Sequence, residues 1–220
     1  LSDVVYTIYE SSSLEAKVGQ PTGTSKLCLS CHDGAVALTH RQKGNGANVF
    51  ITPGTSNLGT DLSDDHPISF VYSDDLATKD SQIRNPSQLP SFFYLDRNRE
   101  VQCTTCHDPH NNEYGDFLRM SNSHSQMCVA CHNLTGWADS SHQSATASVS
   151  DVQDQYLRNS EFSTVAENGC RSCHRPHSAG GNERLLHFNR SEENCLNCHN
   201  GKVAKTDIKS AISKTSAHNV

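Results

Sequence analysis

CTTCHDPH, at residues 103–110, and CRSCHRPH, at 170–177, each place two cysteines directly before a histidine. Two thiols three residues apart can bond to the two vinyl groups of one porphyrin, and the adjacent histidine then lies under the iron as a ligand. C-x-x-C-H is therefore typical of covalent attachment of a c-type haem. Each stretch also holds a second histidine three residues after the first, and its role needs a separate argument.

All ten cysteines of the chain occur in such motifs. Five C-x-x-C pairs do not divide into Cys₄ zinc sites, and a histidine after every pair is not typical of a disulfide framework. We therefore expect five covalently bound haems c, numbered first to fifth along the chain. The cysteines that would hold them are Cys28 and Cys31, Cys103 and Cys106, Cys128 and Cys131, Cys170 and Cys173, and Cys195 and Cys198. The proximal iron ligands would be His32, His107, His132, His174 and His199.

The composition leaves little material for a core made of side chains alone. Of the 220 residues, 34% are hydrophobic and 6% are aromatic, whereas burial must offset an ordering cost of roughly 1–2 kcal/mol per residue. Porphyrins would supply the missing apolar mass. We therefore expect a haem-dominated, pentahaem cytochrome c fold that is mostly coil, with short α-helices and little β-structure.

Charge and hydropathy argue against two kinds of partner. The net charge of −6 makes nucleic acid a poor partner, because phosphate binding needs clustered lysines and arginines. No run of 18 or more apolar residues is present, so we expect no transmembrane segment. The first residues, LSDVVYTIYE, have neither a basic start nor an apolar stretch, and we expect any secretion signal to have been removed.

Short regular elements are expected at a few places outside the motifs. SEENCLNCH starts at Ser191 with a plausible N-cap and two acidic residues, which favours a helix through 195–199. Apolar spacing predicts one or two helical turns in 203–214 and in 150–158. VVYTIYE at 4–10 is β-prone and would pair with a second copy of the chain or locally, for example with the 49–72 region. The segment 41–60 has the composition of a surface loop.

The sequence contains a two-haem repeat. A shift of 67 residues lays 103–133 on 170–200 without a gap and superimposes both motifs of each copy. A shift of 167 lays the first motif on the fifth, so the first haem resembles the second half of a repeat whose first half is absent. We therefore divide the chain into 1–102, with the first haem and a long loop, and the modules 103–169 and 170–220.

Eight of the 13 histidines lie outside the motifs. Five of them fall one after each motif and would supply a distal ligand to every iron: His66, His110, His142, His177 and His218. His40, His124 and His187 are not matched by the repeats, and we interpret them as surface or supporting groups, with replacement of a distal ligand left open. Methionine, the alternative ligand, occurs only twice, so we expect bis-histidine haems of low potential.

The position of His110 suggests an order of ligation. His110 lies too near His107 to reach the opposite face of the same porphyrin, because groups three apart on a turn share one side. We therefore expect His110 to ligate the third haem and His177 the fifth. If each spare histidine serves the next haem along the chain, His66 goes to the second haem and His142 to the fourth.

This rule leaves the first haem and His218 without partners. Either the end of the chain folds back within the molecule, or His218 reaches the first haem of another copy. The second arrangement is a head-to-tail contact, which generates a ring or an open filament.

CTTCHDPH and CRSCHRPH, each followed by a second CxxCH, resemble the multihaem c-type cytochromes of the doubled CxxCH kind. CLSCHDGAVA from Cys28, with DDHPISF downstream, is similar to segments of large extracellular cytochromes of metal-reducing bacteria. The resemblance extends to the filament-forming cytochrome nanowires. It implies stacked haem pairs in a continuous line and one axial histidine that crosses between subunits. The odd number of haems departs from pairing within one chain, and pairing across a subunit junction would resolve it.

These observations favour an electron carrier without catalytic chemistry of its own. The expected form is a repeating subunit of an extracellular or cell-surface filament, assembled as a homopolymer, that delivers electrons to redox partner proteins or external acceptors. A soluble periplasmic electron shuttle is the main alternative. A multihaem reductase is a weaker one, because it needs one iron with an open position and every motif here ends in histidine.

Overall fold

The helices of this protein are short, and most consist of a single turn. The computed structural model describes residues 4–37, 49–52, 56–181 and 183–214. Over these ranges the chain is mostly coil with short helices and one small two-stranded sheet, which confirms this part of the expected fold class; the number of haems stays a prediction. None of the described helices is long and apolar enough to cross a membrane.

Regular structure is spread thinly along the described chain. The α-helices are α1 (Gly23–His32), α2 (Asp74–Lys79), α3 (Cys103–Cys106), α4 (Gln126–Val129), α5 (Ser141–Ser144), α6 (Gln155–Arg158), α7 (Val165–Asn168), α8 (Ser191–Leu196) and α9 (Ile208–Ile212). Short 3-10 segments lie at Pro86–Gln88, Ser123–Ser125, Gly169–Ser172 and Glu183–Leu185. Strands β1 (Phe70–Val71) and β2 (Glu100–Val101) pair antiparallel, with Phe70 opposite Val101.

Side-chain caps start several of these single turns. The N-cap residues Ser73, Ser140, Asp154 and Thr164 each accept a hydrogen bond from a backbone N–H in the first turn of the helix that follows. Such short helices are not stable in isolation, because a first turn fixes several residues for one hydrogen bond. Their stability must therefore come from the contacts that they make in the folded chain.

The buried apolar side chains form four small clusters among the described residues. Their members are Val149, Val152, Leu157 and Val165; Tyr6, Leu29 and Leu62; Tyr9, Ala179 and Leu185; and Phe70, Tyr72 and Val101. A domain of this length usually has one contiguous core with smaller satellite clusters. The scattered clusters agree with the low hydrophobic content of the sequence.

The strand expected at 4–10 is wrong, because the structure has only a single parallel bridge between Thr7 and Asp61. The bridge lies in the 49–72 region, so the local alternative for pairing is the one observed. Further on, Tyr9 packs in the cluster with Leu185, and Ser12 hydrogen-bonds Glu183. Residues 4–12 therefore contact both the region of the first motif, where Tyr6 packs against Leu29, and the region of the fourth, where Tyr9 packs against Leu185.

The three expected helices are present in shortened form. Helix α8 begins at Ser191 as predicted but ends at Leu196, and 197–200 form a turn, so the helix contains Cys195 but not Cys198 or His199 of the fifth motif. Helices α6 and α9 form inside 150–158 and 203–214 with one turn each. The division of the chain at residues 102 and 169 stays a prediction.

Replacement of Leu157 by alanine should destabilise the protein more than any surface substitution. Leu157 is fully buried in the cluster with Val149, Val152 and Val165, and a buried Leu→Ala change costs about 2–5 kcal/mol. We expect a lower denaturation midpoint of the haem-loaded protein. Val5→Ala, at a side chain that is 79% exposed, is the control, and equal midpoints for the two variants would contradict the assignment of this core.

Candidate haem-binding site

Each CxxCH motif begins in a helix or a 3-10 segment. Helix α1 carries the whole first motif, α3 carries the cysteines of the second, and α4 and α8 carry the first cysteines of the third and fifth. The fourth motif begins in Gly169–Ser172. A helical turn points both thiols of a pair to the same side, which one porphyrin requires for two thioether bonds.

Three pairs of histidine rings face each other at nearly equal separations. The ring centres of His66 and His132 are 6.2 Å apart, those of His107 and His177 are 6.2 Å apart, and those of His142 and His199 are 6.1 Å apart. In every pair, one ring belongs to a CxxCH motif and the other is one of the expected distal ligands. The pairs therefore combine proximal and distal candidates for the third, second and fifth haems.

The separation of the rings fits two imidazoles on opposite faces of one iron. A histidine–metal bond is about 2 Å long, and the ring centre lies about 1 Å beyond the nitrogen, so two rings across one metal have centres about 6 Å apart. The observed values of 6.1 and 6.2 Å agree with this figure. The chain therefore positions these side chains as a haem iron with two axial histidines needs them.

Three proximal histidines hold one ring nitrogen in a hydrogen bond to the backbone. Nδ1 of His32, His107 and His174 lies 2.8 Å from the carbonyl oxygen of Ser56, Asp116 and Arg184, respectively. A carbonyl only accepts hydrogen bonds, so Nδ1 carries the proton and Nε2 keeps its lone pair for the metal. The same contact fixes the orientation of each ring.

Burial favours the neutral form of three ligand candidates, which is the form of histidine that binds a metal. Burial lowers the pKa of His66 to about 4, and the neighbouring His132 contributes to that shift. Burial also lowers the pKa values of His107 and His132. These rings therefore present a lone pair without first having to lose a proton.

The structure joins the histidines in a different order from the one expected. His66 faces the proximal ligand of the third haem rather than that of the second, and His177 faces that of the second rather than that of the fifth. His142 faces the fifth rather than the fourth. The order in which the rings pair is thus not their order along the chain.

A contact between two distant segments explains this order. The backbone N–H of His66 donates to the carbonyl of Pro176 at 2.8 Å, and that of Ala179 donates to the carbonyl of Asp64 at 2.9 Å. We call residues 64–67 and 176–180 the ligand junction. It places His66 opposite His132 and His177 opposite His107, so both candidate distal ligands depend on a pairing that no local pattern reveals.

Two proximal histidines have no ring partner among the described residues. These are His32 and His174, the expected proximal ligands of the first and fourth haems. The side chain of His110 is exposed and faces no proximal histidine in the described ranges. His218 and His40 lie outside the described residues.

The remaining histidines agree with a supporting or surface role. His187 has a side chain that is 1% exposed; its Nε2 lies 2.8 Å from the carbonyl of Arg171, and its Nδ1 lies 3.3 Å from a carboxylate oxygen of Asp154. Both ring nitrogens are thus directed at protein groups. His124 is exposed, and its Nδ1 lies 2.8 Å from the hydroxyl of Ser123.

The carbonyl that follows the first cysteine receives a side-chain hydrogen bond in three motifs. Arg119 Nε donates to the carbonyl oxygen of Thr104 at 2.7 Å, and Arg84 Nε donates to that of Val129 at 3.0 Å. In the fourth motif, His187 Nε2 lies 2.8 Å from the carbonyl oxygen of Arg171. The sequence did not reveal these supports. The donors differ in residue type and lie at different distances from their motifs, so the repeats do not align them.

Two serines join neighbouring motifs in the same way. The hydroxyl of Ser25 accepts from the backbone N–H of Cys103 at 3.0 Å, and that of Ser125 accepts from Cys170 at 2.7 Å. Each serine stands three residues before the first cysteine of its own motif and is fully buried. We call these contacts the serine clamps; they join the first motif to the second and the third to the fourth.

The thiols confirm the close approach within each clamped pair. Cys28 and Cys103 hydrogen-bond each other, which lowers the pKa of the former and raises that of the latter. Cys128 and Cys170 do the same, with the lower pKa at Cys170. The attachment points of two haems are therefore adjacent in each pair.

Gly169 is required at the second clamp. Its φ of +54° lies in the left-handed region, and an added Cβ would lie 2.5 Å from the hydroxyl oxygen of Ser125. Any larger residue would push Ser125 away from Cys170. The fifth motif has no corresponding clamp, because Glu192 stands three residues before Cys195 and pairs with Arg190.

Removal of the first clamp should weaken the haem-loaded protein. Ser25→Ala leaves the partly buried N–H of Cys103 without its acceptor, a loss of at most about 1–3 kcal/mol. We expect a lower denaturation midpoint and a weaker exciton coupling in the Soret circular dichroism. Ser213→Ala is the matched control, because the exposed hydroxyl of Ser213 donates to the carbonyl of Lys209 in the neighbouring helix turn. A denaturation midpoint of Ser25→Ala equal to that of the control would contradict the clamp.

The comparison with protein families agrees with the motifs and their repeats. Residues 97–136 and 163–204 each match the model of the doubled CXXCH motif, and these segments contain the second and third motifs and the fourth and fifth. A search of curated proteins found no match to the chain. The doubled motif indicates covalent attachment of haem c. The matched segments and the paired histidines thus support the identification of this chain as a multihaem c-type cytochrome.

Proposed function

We propose that this protein transfers electrons along a row of five bis-histidine haems c, as the repeating subunit of an extracellular conductive filament. The observation that carries the electron-transfer part is the set of three histidine pairs with ring centres 6.1 to 6.2 Å apart. An electron carrier needs closely spaced irons with both axial positions filled. The protein would have no catalytic reaction of its own.

The chemistry is divided between the haem and the chain. When bound, haem supplies an iron that takes up and releases one electron. The histidines close both faces of that iron, so no position remains for a substrate. Backbone carbonyls orient the proximal rings, and the serine clamps keep the attachment points of two haems adjacent. These are the protein contributions that favour rapid transfer over catalysis.

Two irons still need a distal ligand, and two expected ligands remain for them. With His66, His142 and His177 paired, we assign His110 and His218 to the first and fourth haems. His110 is exposed, so it is accessible to another copy of the chain as well as to its own. A ligand that crosses between copies would tie assembly directly to haem ligation.

The unclamped fifth motif supports a filament. The serine clamps group the first haem with the second and the third with the fourth, so the fifth haem has no clamped neighbour. Its first attachment residue, Cys195, is exposed. A haem without a clamped neighbour in its own chain is a natural contact for a second copy. Head-to-tail repetition of that contact gives an open filament, outside the cell or on its surface.

Replacement of His142 by alanine should open one iron. His142 faces the proximal His199, so its loss leaves the fifth haem with one axial ligand. We expect the reduced variant to bind about one equivalent of carbon monoxide, whereas the unmodified protein, with five haems by the pyridine haemochrome assay, binds none. His124→Ala, at an exposed histidine without a ring partner of this kind, should behave as the unmodified protein.

Carbon monoxide binding by the untreated, unmodified protein would contradict the proposal. It would indicate an open iron and would favour the multihaem reductase instead.

Electron microscopy of the purified native protein should reveal filaments. If His218 ligates a haem of the next copy, His218→Ala should yield dispersed molecules, each with one high-spin haem. If His218 folds back instead, the variant should still assemble despite its high-spin haem. Dispersed monomers of the native protein, at high concentration and with five low-spin haems, would contradict the filament and favour the soluble periplasmic shuttle.

A further inference from the structure

Asp65 is a buried carboxylate that contacts a haem ligand. It lies in the ligand junction next to His66, and its side chain is only 6% exposed. One carboxylate oxygen, Oδ1, lies 2.9 Å from Nδ1 of His177 and accepts the backbone N–H of Ser178 at 3.3 Å. The other, Oδ2, is buried and has no hydrogen-bond partner among the described residues. The chain thus holds a carboxylate directly behind the distal ligand of the second haem.

The other ligand rings with a described Nδ1 contact bond a neutral group instead. His32, His107 and His174 bond backbone carbonyls, and Nδ1 of His66 lies 3.1 Å from the carbonyl of Pro67. Within the described ranges, His177 is the one paired ligand with a carboxylate at this position. The difference distinguishes the second haem from its neighbours.

A carboxylate that accepts a hydrogen bond from a ligand imidazole changes the reduction potential of the metal that the imidazole binds. A hydrogen bond to a charged acceptor is stronger than one to a carbonyl, and it raises the basicity of the ligand ring. A more basic ligand stabilises ferric iron more than ferrous iron, so the reduction potential falls. Burial strengthens the effect, because the low local dielectric screens the carboxylate poorly.

We propose that Asp65 tunes the second haem, held by Cys103 and Cys106, to a lower reduction potential than the third and fifth haems. The inference rests on the bis-histidine ligation proposed above. One electron is added to the iron in the couple concerned, and no bond to Asp65 is made or broken. Asp65 acts through His177 and is therefore a positioning residue rather than a ligand.

The test is a redox titration of the haem-loaded Asp65→Asn variant, followed by visible and electron paramagnetic resonance spectra. Asparagine keeps the size of the side chain and an acceptor oxygen but removes the charge. We expect the midpoint of one haem to rise, with a change in its reduction equilibrium of about tenfold, or about 59 mV for one electron. The midpoints of the other haems should stay in place.

Asp64→Asn is the matched control. Asp64 lies in the same junction, and its carboxylate accepts the backbone N–H of Gly180 at 3.0 Å but contacts no ligand ring. The control should leave every midpoint unchanged. A shift of equal size in both variants would overturn the inference, because it would reflect a disturbed junction instead of a specific effect on His177.

Ligand exchange tests the same inference without a change at Asp65. Methionine in place of an axial histidine raises the potential of the haem concerned, so His177→Met, His66→Met and His142→Met mark the second, third and fifth haems. Of the three haem midpoint potentials identified in this way, the one that rises in His177→Met must be the lowest in the unmodified protein. Any other order overturns the inference, even if Asp65→Asn does not fold.

The outcomes separate this inference from the proposed function. Five low-spin haems that bind no carbon monoxide, combined with an unshifted Asp65→Asn variant, would refute the role of Asp65 alone. An open iron in the unmodified protein would refute the ligation on which both depend.

Discussion

In the ligation proposed above, each tethered porphyrin needs a second histidine opposite the first, and three pairs of rings with centres about 6 Å apart meet this constraint. A CxxCH motif supplies the tether and one ring from five consecutive residues, which a short helix accommodates. The second ring must come from elsewhere, and the coil, the one-turn helices and the small apolar clusters are arranged to deliver it. Without the haems, such a chain has little apolar surface to bury, so cofactor and fold depend on one another.

The motifs made the fold class and the ligand candidates predictable, because tether and proximal ligand are adjacent in the sequence. The pairing was not predictable. The sequence predicts that each distal histidine serves the next haem, whereas hydrogen bonds between the 64–67 and 176–180 segments, over a hundred residues apart, place His66 and His177 opposite other proximal histidines. Arg84 and Arg119 could not be predicted for a related reason. Each donates to the carbonyl after the first cysteine of a motif, but they lie at different distances from their motifs along the sequence.

Two groupings of the haems overlap along the chain. The sequence repeat joins the second motif to the third and the fourth to the fifth, whereas the serine clamps join the first to the second and the third to the fourth. The repeat therefore does not coincide with the contacts between motifs: each clamp joins motifs that belong to different repeats or lie outside them.

The ligand junction also determines how this molecule would fail. In the proposed ligation, His177 of the second haem and His66 of the third stand on one pair of backbone segments. A local opening there would uncover both irons at once, in the middle of the series. If the chain conducts electrons as proposed, thermal damage at the junction would interrupt conduction as a single cooperative event, and the two halves of the molecule would keep their haems while losing electrical contact with each other.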